Sequence, residues 1–394
     1  MILSLLAAAL LQGAEAVPAP TRAEAERALR AGLDWLLANQ NPDGSWGHWT
    51  NPGPYDGFWS NLETHRSWQV ATTALGCMAL MDAGLGEVET AALDRGVDFL
   101  TRDADVKRPS DWDTDNVWAY AYGLCGLAQA AAHPRYRAPE QGERAHAVAM
   151  MAARLLRRLG EYQTPSGGWA YYDEEVKTKP PMWATSFTTA VAVIGMLEAE
   201  ALGWPVERQR IATALHAIEH CRLPSGAYTY NVDAIPSARS LDDIDQVKGS
   251  LSRIQSCNFA LFLAAEAGYS TAVDTTRQLA EGLVPFFRDH RFLDVARGRP
   301  LPHEAYYYNS GYFYFFGHYY AGRVIEHLPA AERARWAPEL WRHVVKTQAR
   351  DGSSLDYFMN SFGRPYGTAY AVSALARSLR LAPSGAETTA PDHR

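Results

Sequence analysis

Hydrophobic and polar positions along the chain alternate between two kinds of predicted helix. One kind carries charges on one face and apolar side chains on the other, over residues 22–39, 90–102, 144–163, 207–220, 271–288 and 333–348. The other kind is apolar nearly all round, over residues 67–83, 116–132, 185–202, 252–268, 310–328 and 366–379. A helix with a polar face lies at the surface, whereas one that is apolar on every side is buried. Regular alternation of the two kinds therefore predicts an all-α fold, an (α/α)6 toroid of six helical hairpins with an outer and an inner ring. Strand signals are sparse, the clearest being Tyr228-Thr229-Tyr230-Asn231-Val232.

A recurring turn sets the period. Arg30 to Trp46 reads as a helix end, a glutamine, a Pro/Gly turn and a tryptophan, and Gln163-Thr164-Pro165-Ser166-Gly167-Gly168-Trp169 repeats the punctuation. Weaker echoes are Leu223 to Tyr228 and Gln348 to Ser353. The turn glycines Gly44, Gly167, Gly226 and Gly352 are 123, 59 and 126 residues apart. Taken as two, one and two repeats, those gaps give a period of about 60 residues. The period places the two unmarked turns near Asp105 and Asp289, just after Phe99-Leu100 and Phe286-Phe287, which align with Trp35-Leu36. Long connections at residues 47–66, 170–184, 231–251 and 289–309 all join an outer helix to the next inner helix, so in a ring they share one face.

Residues 1–16 read as a signal peptide: an apolar run from Ile2 to Leu11, then Ala14-Glu15-Ala16 before Val17, with no Lys or Arg at its start. A secreted or periplasmic location is expected. Residues 17–380 form a single toroid domain on this reading, and the Ser/Thr/Pro/Ala-rich tail over 381–394 is expected to be disordered. A content of 47% hydrophobic residues supplies a large core, and the net charge of −7 gives no footprint for nucleic acid. No later apolar run is long enough for a second membrane span, which leaves peripheral membrane association open. Cys77, Cys125 and Cys257 lie in apolar helical patterns and Cys221 near a turn, so the spacing does not indicate a disulfide framework.

Arg30, Ala31, Trp35, Leu36, Gln40, Gly44 and Trp46 fill every position of the QW motif, and Gln163 to Trp169 its second half. The chain thus resembles squalene-hopene cyclases and the wider triterpene cyclase and protein prenyltransferase superfamily. The resemblance implies an α/α toroid in which the Gln ties neighbouring helix ends and the Trp packs on the adjacent repeat. In that role the motif is structural, and activity has to be argued from the site.

Asp111-Trp112-Asp113-Thr114-Asp115-Asn116 precedes the second inner helix. It resembles the Asp-x-Asp-Asp acid motif of class II terpene cyclases, with Asn116 in place of the last Asp. That resemblance makes Asp113 and Asp115 candidate catalytic acids, because an alkene accepts a proton only from a strongly activated carboxyl group. Asp and Asn are also good helix caps. Leu241-Asp242-Asp243-Ile244-Asp245 could bind Mg²⁺ or Ca²⁺ or be a solvated loop, its spacing differing from the magnesium motif of prenyl chemistry. No Asp-x-Cys pair is present for the zinc of protein prenyltransferases. Glu63, His65, His303 and Glu304 are ligand-type residues in two same-face loops, equally readable as loop polarity, and no metal or other cofactor is assigned.

Aromatic residues give the richest local signal. They crowd the fifth inner helix and the starts of the others, and Trp112, Trp118, Trp183, Phe187, His303, Tyr307, Tyr312 and Tyr366 are the candidate substrate-binding residues. Ring faces can stabilise carbocations, stack on sugars or simply fill the barrel. Three functions follow. The first is a terpene-cyclase or prenyltransferase-like enzyme that binds or cyclises a hydrophobic isoprenoid by acid-initiated chemistry. The others are a non-catalytic toroid used as a binding scaffold, and a secreted polysaccharide lyase or hydrolase.

Overall fold

The computed structural model describes residues 19–48, 62–106, 116–171, 182–232, 244–358 and 361–381. The expected leader, most of the carboxyl-terminal tail, and Trp112, Asp113 and Asp115 lie outside the described residues.

Twelve long helices alternate in the order expected: α1 (Arg22–Ala38), α2 (Leu62–Ala83), α3 (Glu87–Asp103), α4 (Asn116–Ala132), α5 (Gly142–Tyr162), α6 (Ser186–Ala201), α7 (Arg208–His220), α8 (Leu251–Glu266), α9 (Thr275–Arg288), α10 (Phe313–Glu326), α11 (Ala330–Val345) and α12 (Gly363–Leu381). The even-numbered helices form the inner ring. Each packs on the next, and α12 packs back onto α2. The odd-numbered helices are amphipathic and lie outside, so the fold is an all-α toroid. The starts are locally encoded: Thr21 caps α1 by accepting the Glu24 N–H at 3.2 Å, while the Glu24 carboxylate accepts the Thr21 N–H at 2.7 Å. Extended structure among the described residues is limited to isolated bridges, Trp169 with Thr185, Thr185 with Asn231, and Arg222 with Tyr228. None of the described helices is long and apolar enough to cross a membrane. All four cysteines are buried free thiols.

The recurring turn is a clamp between repeats. Gln40 Nε2 donates to its own turn at Gly44 O (2.9 Å) and to Ala92 O in α3 (2.8 Å), one outer helix further on. Gln163 does the same to Gly167 O and Arg210 O, at 2.7 and 3.1 Å. Gln348 donates to Gly352 O (3.0 Å) and to Ala28 O in α1 (2.7 Å), which joins the last repeat to the first. Gly44 holds φ of 94°, and a Cβ there would lie 2.2 Å from the Arg95 carbonyl oxygen. Only glycine permits both that backbone and that approach. The Trp46 indole donates to Leu36 O at 2.8 Å, and its ring is wedged against Gly76 and Gly96 of α2 and α3.

The carboxyl-terminal halves of the inner helices converge on a charged plug. Arg323 donates to Glu198 at 2.8 Å and lies 4.6 Å above the Phe259 ring. Arg377 donates to Asp82 at 2.8 Å and to Glu326 at 2.7 Å. Gln129 Nε2 donates to Glu198 at 3.2 Å, so α4, α6 and α10 meet in one group and α2, α10 and α12 in the other. Buried charges are tolerated when each is paired in this way.

Candidate functional site: an aromatic cavity in the inner ring

The amino-terminal halves of the inner helices surround a cavity of about 320 Å³. Trp68, Ala71, Thr72 and Leu75 of α2 line one side, and Trp118 and Tyr122 of α4 the next. Phe187 of α6 follows, then Phe313 and Phe316 of α10 with Tyr312 just before it. Tyr366 and Tyr370 of α12 complete the ring, and Tyr171, Pro302, His303, Tyr357 and Phe362 enter from the loops. The floor is closed where the Tyr370 and Tyr122 hydroxyls hydrogen-bond. Beneath them Tyr319 and Tyr320 lead down to the charged plug.

No Asp, Glu, Lys or Arg appears among the described lining residues. Polarity comes instead from an ordered chain of hydroxyls. His303 Nδ1–H donates to Tyr308 O at 2.7 Å, which leaves Nε2 to accept the Tyr312 hydroxyl at 3.1 Å. The chain continues from Tyr312 to Tyr230 at 3.3 Å and from Tyr230 to Tyr171 at 3.1 Å. Burial lowers the His303 pKa and raises that of Tyr312, so both stay neutral. The Arg253 guanidinium lies behind this wall, 5.4 Å from the Tyr230 centroid and 5.7 Å from that of Phe313. His303, Tyr307 and Tyr308 hold positive φ of 62°, 59° and 53°. Such backbone strain in side-chain-bearing residues concentrates at functional sites.

Asp356 is fully buried next to the cavity. Its Oδ1 accepts the Tyr366 hydroxyl at 2.5 Å and its Oδ2 the Phe315 N–H at 3.0 Å. Burial pushes its pKa up to about 7 despite those two donors. A carboxyl group poised near neutrality, one hydroxyl away from the cavity, has the acidity that proton transfer favours.

Of the candidate binding residues, Trp118, Phe187, His303, Tyr312 and Tyr366 meet on the cavity wall. Trp183 and Tyr307 do not reach it. The Trp183 indole donates to Asn231 Oδ1 at 2.9 Å and its ring meets Tyr171 edge-on. The Tyr307 hydroxyl accepts from Lys248 Nζ at 3.2 Å, and its ring stands edge-to-face with Phe292. His65 is buried beside Trp68 and Phe362, and Glu304 faces Arg299 at 3.7 Å; neither shares a three-ligand grouping with His303. Asp245 accepts the Tyr230 N–H at 2.6 Å, while Asp242 and Asp243 lie outside the described residues. Trp68, Tyr171, Tyr370 and Asp356 were not singled out by the sequence. A buried ring has the same spacing whether it faces a cavity or a neighbouring helix.

The Squalene-hopene cyclase C-terminal domain family matches residues 7–125, which take in the first repeat and most of the second. Over those residues the chain is similar to that family, and the all-α toroid extends through the rest of the described residues. No curated protein matches it in sequence. Solved structures with the same toroid fold come from different chemistries. A type II terpene cyclase from Scytonema, in complex with geranylgeranyl dihydroxybenzoate, is 13% identical with a TM-score of 0.51, over 91% of this chain and 99% of that one. An inactive variant of the α-1,6-mannanase of a Salegentibacter species, in complex with α-1,6-mannotriose, is also 13% identical, with a TM-score of 0.53 and the same coverage. The cellobiose 2-epimerase of Spirochaeta thermophila is 14% identical with a TM-score of 0.56, over 92% of this chain and 98% of that one. The toroid fold is therefore common to all four, and the cavity has to distinguish them.

Proposed function

We propose that this squalene-cyclase-like toroid takes an isoprenoid or similarly apolar small molecule into its aromatic cavity and acts on it by acid-initiated chemistry. The observation that carries the reading is the lining: ring after ring, with no charged side chain among its described residues. Its volume of about 320 Å³ falls at the lower end of the roughly 300–1,000 Å³ typical of small-molecule sites. Ring faces around an apolar chamber suit a substrate that develops positive charge on carbon. One pair of candidate acids supports the chemistry. Asp113 and Asp115 directly precede α4, whose Trp118 and Tyr122 line the wall. Asp356 sits beside the chamber and accepts the Tyr366 hydroxyl, whose proton therefore points at the carboxyl group and not into the chamber. The leader expected over residues 1–16 supports a secreted or periplasmic site of action.

A sugar-processing reading draws support from the mannanase and epimerase neighbours, since ring faces also stack on sugars. Glycoside hydrolysis, however, uses a pair of carboxyl groups flanking the scissile bond, and the described lining offers none. A binding scaffold without catalysis is the remaining alternative.

Trp68 and Trp118 lie on the wall, so quenching of intrinsic tryptophan fluorescence reports occupancy directly. Farnesol and geranylgeraniol are expected to quench saturably, and mannotriose to leave the signal unchanged. Saturable quenching by mannotriose alone would overturn the reading. Product analysis with isoprenoid substrates then separates enzyme from scaffold. Asp113→Asn or Asp115→Asn should abolish conversion while quenching persists; conversion surviving both substitutions would remove the acid chemistry.

A further inference from the structure

Three histidines meet between the fifth and sixth repeats, away from the aromatic cavity. His290 follows the end of α9, His318 lies in α10 and His343 in α11. Each offers a ring nitrogen, and the three nitrogens all lie within 4.8 Å of one another. Among the described residues this is the one grouping of three or more ligand-type side chains with that geometry. The cluster is shielded: His290 is 2% exposed, His318 0% and His343 9%.

Hydrogen bonding fixes which nitrogens are available. His318 Nδ1–H donates to Tyr314 O at 2.7 Å, so its Nε2 carries the lone pair. His290 Nδ1–H faces Asp294 Oδ2 at 3.1 Å, and its Nε2 points at His318 Nε2 from 3.0 Å. In the neutral rings, two lone pairs therefore confront each other at contact distance. Something positive has to sit between them, a proton or a metal ion. The third ring favours the metal. His343 Nδ1 is buried with no hydrogen-bond partner, and the ring stacks on His290 with centroids 3.4 Å apart. A proton shared by His290 and His318 would leave that nitrogen orphaned, at the usual cost of a buried unsatisfied group.

We infer that His290, His318 and His343 bind a divalent transition-metal ion, zinc before others. With Zn–N distances of about 2.0–2.1 Å, two nitrogens 3.0 Å apart subtend about 95° at the ion, a small adjustment from tetrahedral. The partners behind the ligands fit as well. A carboxylate behind one histidine and a backbone carbonyl behind another are the contacts that orient imidazoles on metals. Asp294 is held in turn by Lys346 at 3.0 Å. Burial lowers the pKa of all three imidazoles, which keeps them neutral and able to ligate. Imidazole donors suit zinc, copper and nickel rather than calcium or magnesium. The site would tie the end of α9 to α10 and α11, and so link one repeat to the next without any of its ligands lining the cavity.

The test uses untagged full-length protein, stripped with a chelator and titrated with ZnCl₂. One zinc per chain and a rise in Tm of several degrees are expected, with the added stability reversed by chelator. Co²⁺ should give the visible absorption of a histidine-bound, low-coordinate site. His343→Gln should lose both effects while remaining folded, since its imidazole donates no hydrogen bond from Nδ1. The exposed His216 and the half-buried His220, one turn apart on α7, are the control for adventitious binding. His216→Gln with His220→Gln should keep the buried zinc. Absence of zinc binding and of any Tm shift in the wild-type protein would overturn the proposal, as would loss of the metal in the α7 double variant alone.

Discussion

At the carboxyl-terminal end of the inner ring, Arg323 is paired with Glu198, and Arg377 with Asp82 and Glu326. At the amino-terminal end, Asp356 is just as buried but faces a tyrosine hydroxyl and a backbone amide. The two ends of the inner ring therefore hold two solutions to buried polarity, one on the helices and one in the loop before α12. Paired charges seal one end and give it a fixed geometry, whereas an unpaired carboxyl at the other end is pushed towards the neutral acid. One end resists opening, and the other keeps a carboxyl group beside an apolar chamber. The difference lies in the placement of a few arginines rather than in the helices themselves.

The comparison breaks most visibly at the plug. Arg377→Ala takes the buried partner from Asp82 and Glu326 and leaves only the half-exposed Arg380, 3.9 and 3.4 Å away; loss of one member of a buried pair costs up to roughly 3–5 kcal/mol. Urea denaturation should show the unfolding free energy falling by that amount, read as a lower midpoint at unchanged slope. A fall of less than about 1 kcal/mol, the size of a surface pair, would show that the plug is solvated.

A pH titration of stability probes the opposite end. The folded Asp356 pKa of about 7 lies above its unfolded value of about 4, so between those pH values the folded state holds the extra proton. That contribution is complete below about pH 4 and is lost as pH rises through 7, by roughly 3–4 kcal/mol. Asp356→Asn should remove this slope and leave the remaining pH dependence intact. An unchanged slope would mean that Asp356 is ionised throughout.

The smallest effect lies at the boundary between the two ends. Tyr122→Phe removes the hydroxyl contact with Tyr370 that closes the cavity floor, at a cost of about 1 kcal/mol. Thermal unfolding reads this as a drop in Tm of a few degrees. No change would show that the floor is held by ring packing alone.

Helix periodicity exposed the two rings to a reading of the chain because each helix has one consistent environment along its length. α4, rich in Ala and Gly and free of charge, can only be internal, and the Gln40 and Gln163 turns carry their conformation in their own residues. The site was legible only in part. Trp118, Phe187 and Tyr312 stand at inner-helix starts and point to the chamber by position, whereas Trp183 and Tyr307 share that composition and turn elsewhere. Asp356 and the histidine cluster left no local trace. Their chemistry depends on burial and on neighbours from other elements: Tyr366 and Phe315 around Asp356, and ring nitrogens brought together from three helical segments 25–28 residues apart.

The Gln348 bond to Ala28 O has a consequence for how the protein comes apart. An open solenoid has end repeats that fray first and capping repeats that shield them, so it can unzip in stages. A ring fastened across its seam has no such ends. Every hairpin leans on two others, and melting one exposes apolar faces on both sides at once. Unfolding should then approach an all-or-none event for the whole ring, an unusual degree of cooperativity for a repeat architecture of this size.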